Sequence, residues 1–304
     1  MLLGGRKGWD PDGGLSSVNV LGLDNCSVPD LPEWRYDHGS FVTESGALAV
    51  CGGWWGGKPA SSDCLVLNRT SNQWERGVLN NLTDVTVVGV AVLDGGTYMV
   101  HPEKLSVLPS GSRTWVPGHS PPENLSFECA ARISPTSFLA FSRTKQINQY
   151  EEGSDWVADA GWPNLRVERQ RPACASLGYM TIVAGGVSKH LEVLKSVEMI
   201  LHTKRLSTAE DLLTPRSHFS LLVLETSLVA LGGSGEESIE IWGGAEESWR
   251  EAVVDLQQEG RNSFSAMAVT NAVCPSGPAP PHSCPTLDGG TCNFPFTNGE
   301  LSKH

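Results

Sequence analysis

The side chains best suited to catalysis or metal binding are histidines, tyrosines and cysteines, and their spacing predicts no active site. The sequence has no HExxH pair for zinc, no GxxxxGK[ST] phosphate loop and no GxSxG nucleophile turn. His38 and His218 stand at the predicted starts of strands, where we interpret them as structural residues. We therefore predict that the chain is not an enzyme and needs no cofactor or metal.

Cysteines and glycosylation sequons are the next chemical feature. The eight cysteines are Cys26, Cys51, Cys64, Cys129, Cys174, Cys274, Cys284 and Cys292, and the four Asn-x-Ser/Thr sequons begin at Asn25, Asn68, Asn81 and Asn124. The sequence contains no CxxC pair, which argues against a zinc ribbon. Although sequons also arise by chance, the combination predicts an oxidising compartment and a secreted or extracellular protein.

One disulfide is predicted from the placement of its cysteines. Cys51 ends one predicted strand and Cys64 begins the next, so the two would lie opposite each other in an antiparallel pair. Two buried free thiols are the alternative.

Tryptophan and arginine side chains in predicted loops are the candidate binding residues. They are Arg6, Trp9, Trp54, Trp55, Trp162, Arg166 and Arg169. These residue types dominate the energetics of protein interfaces, and the arginines would suit an acidic peptide or a glycan. The tryptophans could instead cap the rim of the fold, and Arg166 and Arg169 could be solvated loop residues.

A repeat positions these loops. Arg171, Arg216 and Arg261 are 45 residues apart, and Trp74, Trp115 and Trp156 are 41 residues apart. Between the members of each series lie about four short apolar runs, which is typical of propeller blades. We predict an all-β, six-bladed β-propeller of four-stranded antiparallel blades, in which each tryptophan packs against a neighbouring blade. A strand around residues 264–269 would close the ring by pairing with residues 1–3, because the first blade lacks its first strand.

Composition sets the domain limits. The propeller is predicted over 1–274, and 275–304 form a proline-rich linker and an incomplete cysteine-rich segment. The net charge of −12 excludes a nucleic-acid surface, and no apolar run is long enough to span a membrane. Because the chain opens in the middle of a blade, we hypothesise that it is truncated and that a signal peptide lay upstream.

The glycine pairs Gly52-Gly53, Gly185-Gly186 and Gly232-Gly233, each followed by a strand and a tryptophan, resemble the kelch repeat over about residues 1–274. The run around Cys292, with Phe294-Pro295-Phe296, resembles the start of a fibronectin type II module. The kelch resemblance implies a non-catalytic binding platform that recognises a protein or glycan through its loops.

Two other functions stay open at this stage. An intracellular kelch scaffold or substrate adaptor is the main alternative. A copper oxidase similar to galactose oxidase is less favoured, because that chemistry needs two tyrosines and two histidines at one metal. Here Tyr98, Tyr150 and Tyr179 fall inside predicted strands. We expect no nucleic-acid partner.

Overall fold

The structure is a computed structural model of the chain, and it contains strands and no helices in the residues that it describes. Those residues are 1–7, 13–21, 28–55, 58–59, 63–83, 86–122, 125–157, 160–234, 236–243, 248–252 and 261–269. Within these ranges no helix could cross a membrane. The predicted tail, 275–304, lies outside the described residues, as do Trp9, Asn25 and Asn124.

The strands form six antiparallel blades, as the sequence predicts. Blade 1 contains β1 (Leu2–Leu3), β3 (Val18–Asn19) and β26 (Ser265–Ala266), and beside it β2 (Arg6–Lys7) pairs with β25 (Arg261–Asn262). Blade 2 contains β4 (Tyr36–Val42), β5 (Leu48–Trp55), β6 (Lys58–Pro59), β7 (Cys64–Asn68) and β8 (Gln73–Arg76). Blade 3 contains β9 (Gly89–Leu93), β10 (Gly96–Val100), β11 (Leu105–Pro109) and β12 (Val116–Pro117).

The second half of the ring is regular. Blade 4 contains β13 (Phe127–Arg132), β14 (Ser137–Ser142), β15 (Ile147–Glu151) and β16 (Asp155–Val157). Blade 5 contains β17 (Ala173–Leu177), β18 (Met180–Ala184), β19 (Val197–Leu201) and β20 (Arg205–Thr208). Blade 6 contains β21 (Ser220–Leu224), β22 (Ser227–Leu231), β23 (Ile239–Trp242) and β24 (Arg250–Glu251).

The innermost strand of each blade lines a central channel. These six strands contact one another in the cyclic order β4, β9, β13, β17, β21, β26 and back to β4. Blade 1 combines the two ends of the described chain, because Leu2 pairs with Ala266 and Leu3 with Ser265. The predicted closure of the ring is therefore confirmed, and it removes the exposed sheet edges that an open ring would leave.

Tryptophans and glycine pairs hold neighbouring blades together. Trp115 of blade 3 is buried, and its ring meets that of Phe41 of blade 2 edge to face with centroids 5.9 Å apart. The Trp156 indole of blade 4 donates a hydrogen bond to the backbone carbonyl of His119, which follows blade 3. Both gaps between blades are thus filled as predicted. At Gly185, which has a φ of 60°, a Cβ would collide with the Arg216 carbonyl oxygen of the next blade. The pair therefore allows adjacent blades to approach closely.

Candidate functional site: the mouth of the central channel

Buried arginines organise one end of the channel. Arg216 is fully buried and donates from Nη1 to the Gly232 and Ser238 carbonyls and from Nε and Nη2 to the Glu240 carboxylate. Arg169 makes the equivalent contacts to Gly185, Ser196 and Glu198, and Arg35 and Arg261 occupy the same position in blades 2 and 1. These arginines tie the glycine pair of a blade to its third strand.

The structure corrects the roles predicted for two arginines of blade 5. Arg169, expected in a binding loop, is 2% exposed and is the repeated arginine. Arg171, expected to follow the repeat, is instead at the channel mouth, and its side chain is about a third exposed. The fixed period of 45 residues misassigned them because the connection from β18 to β19 is longer than that from β22 to β23.

Four residues with left-handed backbone surround the mouth. Asp37, Arg171, His218 and Ser263, with φ of 52–56°, each stand two positions after a buried arginine. Their peptide groups form a chain of hydrogen bonds, from Asp37 N to Ser263 O, from Ser263 N to His218 O, from His218 N to Arg171 O, and from Arg171 N to the Glu128 carboxylate. We call these five residues the mouth ring.

Blades 3 and 4 complete this end of the channel without the arginine. In blade 3 the buried His101 ring joins the Thr86 carbonyl at 2.8 Å to the Ser106 hydroxyl at 2.9 Å. In blade 4 the Glu128 carboxylate accepts from Arg143 Nε at 2.8 Å. The missing glycine pairs in these blades are thus replaced by side-chain hydrogen bonds.

One ion pair crosses the channel. Arg171 belongs to blade 5 and Asp37 to blade 2, and these blades are third neighbours in a ring of six, so they face each other. Arg171 Nη1 lies 3.2 Å from Asp37 Oδ1. The Arg171 side chain therefore lies over the opening of the channel.

Beneath this ion pair the channel contains a cavity of about 300 Å³. Its wall mixes polar and apolar groups. Hydroxyl groups come from Ser40, Ser220, Ser263 and Ser265 of blades 1, 2 and 6. Apolar groups come from both sides of the channel, from Leu222 and Phe264 beside these serines and from Val90, Ala130, Ala173 and the disulfide-bonded pair Cys129 and Cys174 opposite them. The size is that of a small-molecule site.

Burial keeps two histidines beside the mouth neutral. Burial, followed by the charges of Arg171 and Arg6, lowers the pKa of His218 to about 3. Burial, followed by the charges of Arg35 and Arg261, lowers the pKa of His38 to about 3. Both histidines are therefore neutral at physiological pH, and they mark an environment that disfavours a further cation.

Arg261 contributes to that environment in a particular way. Its guanidinium is fully buried and donates to the Gly4 and Ser17 carbonyls and to the Asn19 amide oxygen. Among the described residues no carboxylate forms an ion pair with it, and burial lowers its pKa to about 10. The nearby charge of Asp30 partly offsets this effect of burial.

Aromatic side chains lie beside the mouth on the same face. Tyr36 and Trp54 are partners across β4 and β5, and their rings are nearly parallel with centroids 6.5 Å apart. Trp34 continues the row at 6.1 Å from Tyr36, and the Arg6 guanidinium lies 4.9 Å from the Tyr36 centroid. We call Trp34, Tyr36 and Trp54 the aromatic row. All three side chains are half-buried, so each presents part of a ring to solvent.

The structure brings only some of the predicted binding residues together. Arg6 and Trp54 each lie against Tyr36 in the aromatic row, whereas the Trp55 side chain and Trp9 lie outside what the structure describes. The Trp162 indole donates to Gln149 at 3.0 Å and packs between blades 4 and 5. Arg166 is exposed, and its peptide nitrogen donates to Glu198.

Disulfides and sequons complete the comparison with the sequence. Cys51 and Cys64 are bonded with Cα atoms 4.1 Å apart, so that predicted disulfide is confirmed. A second disulfide joins Cys129 and Cys174, and it was not foreseen. Asn68 is half-buried and Asn81 is exposed.

Sequence analysis missed Asp37, Glu128, Tyr36 and Trp34. The first two carry a positional signal, because Asp37 stands two residues after a blade arginine and Glu128 directly precedes Cys129 of an innermost strand. Tyr36 and Trp34 flank Arg35 in alternation, which indicates a common side of one strand.

Comparisons with known proteins assign the chain to no family. No protein-family model matches the chain, and no curated protein matches it. Within the described residues no group of three or more His, Cys, Asp or Glu side chains is placed to hold a metal ion.

Proposed function

We propose that this propeller, with repeats of the kelch type, is a non-catalytic platform that binds a protein or glycan ligand on the face that carries the channel mouth. The observation that supports this most is the aromatic row beside the mouth ring. There a line of partly exposed rings contacts Arg6, and Arg171 meets Asp37, which directly follows Tyr36 of the row. Aromatic and arginine side chains provide most of the binding energy in many interfaces.

Location outside the cytosol forms part of this proposal. Disulfides persist in oxidising compartments and are rare in the cytosol, and two pairs of cysteines are bonded in this propeller. The exposed sequon at Asn81 supports the same compartment. We therefore favour a secreted or extracellular protein over an intracellular scaffold.

The test uses Trp54 and a matched aromatic residue at the opposite end of the ring. Tyr179 is 68% exposed in the turn between β17 and β18, which is the end away from the glycine pairs. The chain, secreted from eukaryotic cells, is screened on arrays of glycans and extracellular domains, and the hits are compared for wild type, Trp54→Ala and Tyr179→Ala.

Trp54→Ala is expected to weaken binding by about 30-fold or more, which corresponds to a loss of at least ~2 kcal/mol for a central aromatic residue. Tyr179→Ala should leave affinity unchanged. A ligand whose binding is lost with Tyr179→Ala and kept with Trp54→Ala would place recognition on the opposite face and contradict the proposal.

A further inference from the structure

The two disulfides differ in what they join. Cys51 and Cys64 are partners in the ladder between β5 and β7, so their bond links two strands of blade 2 that are already hydrogen-bonded. Cys129 lies in β13 of blade 4 and Cys174 in β17 of blade 5, and these strands belong to different sheets. The bond between Cys129 and Cys174, which we call the channel disulfide, is therefore a covalent link across the seam between two blades.

The two disulfides also differ in their access to solvent. Cys51 and Cys64 are 0% and 1% exposed and lie in the apolar core between blades 2 and 3. Cys129 is 4% exposed, whereas Cys174 is partly exposed, and both border the cavity of the central channel. Thiol–disulfide exchange begins when a thiolate reaches one sulfur of the bond, so its rate depends on access. The channel disulfide can therefore react while the propeller is folded, and Cys174 carries the sulfur that is easier to reach.

The channel disulfide lies directly below the mouth ring. Glu128 precedes Cys129 in the chain, and Arg171 lies three residues before Cys174. The Arg171 peptide nitrogen of blade 5 donates to the Glu128 carboxylate of blade 4 at 2.8 Å. The disulfide therefore fixes the two strands whose neighbouring residues meet in this hydrogen bond at the mouth.

Other contacts keep the same seam closed when the disulfide is broken. Leu139 and Phe141 of blade 4 pack with Val183 and Ile200 of blade 5 in one buried cluster. These four side chains do not depend on the disulfide for their burial. We therefore expect reduction to loosen the seam at the mouth and to leave the propeller folded.

We propose that the channel disulfide is a site of exchange with low-molecular-weight thiols, that Cys174 is the residue attacked, and that the redox state of the bond sets how firmly Glu128 holds Arg171. The bond faces the inside of the channel, so a small thiol such as glutathione fits the site better than a protein dithiol. This inference goes beyond the proposed binding function and does not rest on it.

The exchange has two steps. The thiolate of one glutathione attacks Cys174 Sγ, the bond to Cys129 Sγ breaks, and Cys129 leaves as a thiolate that takes up a proton. Cys174 then carries a mixed disulfide with glutathione. A second glutathione attacks the glutathione sulfur of this mixed disulfide, releases Cys174 as a thiol and forms oxidised glutathione. The protein disulfide gains two electrons, and the two glutathione molecules supply them.

The test is differential alkylation of the native, secreted chain during treatment with reduced glutathione. Samples are quenched with one alkylating reagent, then reduced, unfolded and labelled with a second, and each cysteine is quantified by mass spectrometry. Cys129 and Cys174 are expected to become free at least about 10-fold faster than Cys51 and Cys64, with a transient glutathione adduct on Cys174. In urea-unfolded chain the two disulfides should be reduced at similar rates, which shows that the native difference comes from access.

Three results would overturn the proposal. The first is reduction of both disulfides together, or of Cys51–Cys64 first, in the native chain. The second is an adduct on Cys129 in place of Cys174. The third is release of the channel cysteines only when the near-ultraviolet circular dichroism of the folded propeller is lost, because the exchange would then follow unfolding. Free thiols at Cys129 and Cys174 in the untreated chain would equally overturn it.

Hydrogen exchange tests the link to the mouth. In the reduced chain, the peptide that contains the Arg171 amide is expected to exchange at least about 5-fold faster than in the oxidised chain, because its bond to Glu128 is held less firmly. Peptides from β21 and β22 of blade 6 should be unchanged. The double variant Cys129→Ser/Cys174→Ser should reproduce this pattern without any reductant, and Cys51→Ser/Cys64→Ser is the matched control that should leave the Arg171 peptide as in wild type. An Arg171 peptide with the same exchange in the oxidised and reduced wild type would refute the role at the mouth.

Discussion

Replacing Glu240 with glutamine tests whether the buried ion pairs hold the linkers between blades. Glu240 is 1% exposed, and its oxygens accept from the Leu213 amide at 2.8 Å, from the Thr214 amide at 3.0 Å, and from Arg216 Nε and Nη2 at 3.1 and 2.8 Å. All four neighbours are donors. In glutamine one oxygen becomes an NH₂ group, which faces donors whichever way the amide is turned.

The change also removes the counter-charge of a fully buried guanidinium. Breaking one side of a buried ion pair typically costs about 3–5 kcal/mol, so the free energy of unfolding of Glu240→Gln is expected to fall by about that amount. Urea titration followed by tryptophan fluorescence measures it, with Trp242 and Trp249 stacked at 6.2 Å in the same blade. Glu251→Gln, on the neighbouring strand with an exposed side chain, is the control and should change stability by less than about 0.5 kcal/mol. The same small change for Glu240→Gln would refute the argument.

Two further predictions concern pH and glycosylation. Because the pKa of His218 is lowered to about 3, its ring binds one more proton in the unfolded chain than in the folded chain between that pH and 6.5. Its contribution to the free energy of unfolding should therefore fall as pH falls through this window, by up to about 1.4 kcal/mol per pH unit. His38, whose pKa is also lowered to about 3, contributes in the same window, so His218→Asn should reduce the slope by up to that amount rather than abolish it in urea titrations at successive pH values; an unchanged slope would count against the assignment. In glycopeptide mapping, Asn81 should carry glycan at higher occupancy than Asn68, because Asn81 is exposed whereas the Asn68 amide is already bonded to Glu75 and to two backbone amides; the reverse order would contradict this.

The fold was predictable because local patterns repeat. Short apolar runs, glycine pairs and evenly spaced tryptophans define blades without any knowledge of their contacts. The missing first strand of blade 1 even predicted which segment closes the ring, and Leu2 pairs with Ala266 as expected. The Cys51–Cys64 disulfide was predictable for the same reason, since both cysteines lie within one blade.

The site was less predictable because it is made across blades. Asp37 and Arg171 face each other only after six blades have closed into a ring, so no spacing in the sequence connects them. The constant period of 45 residues predicted that Arg171 belongs to the structural repeat. The true spacing, from Arg169 to Arg216, is two residues longer, so Arg169 is buried and Arg171 is not. Cys129 and Cys174 do lie one period apart, which is a usable signal for a bond between neighbouring innermost strands.

The pairing of β1 with β26 has a consequence for how the chain folds during synthesis. In blades 2 to 6 each strand pairs with strands close in sequence, so those blades can form as they leave the ribosome. Leu2, which is fully buried in the finished ring, has its partner Ala266 almost at the far end of the described chain. The β1 edge therefore stays open, and prone to aggregation, until nearly the whole propeller has been made.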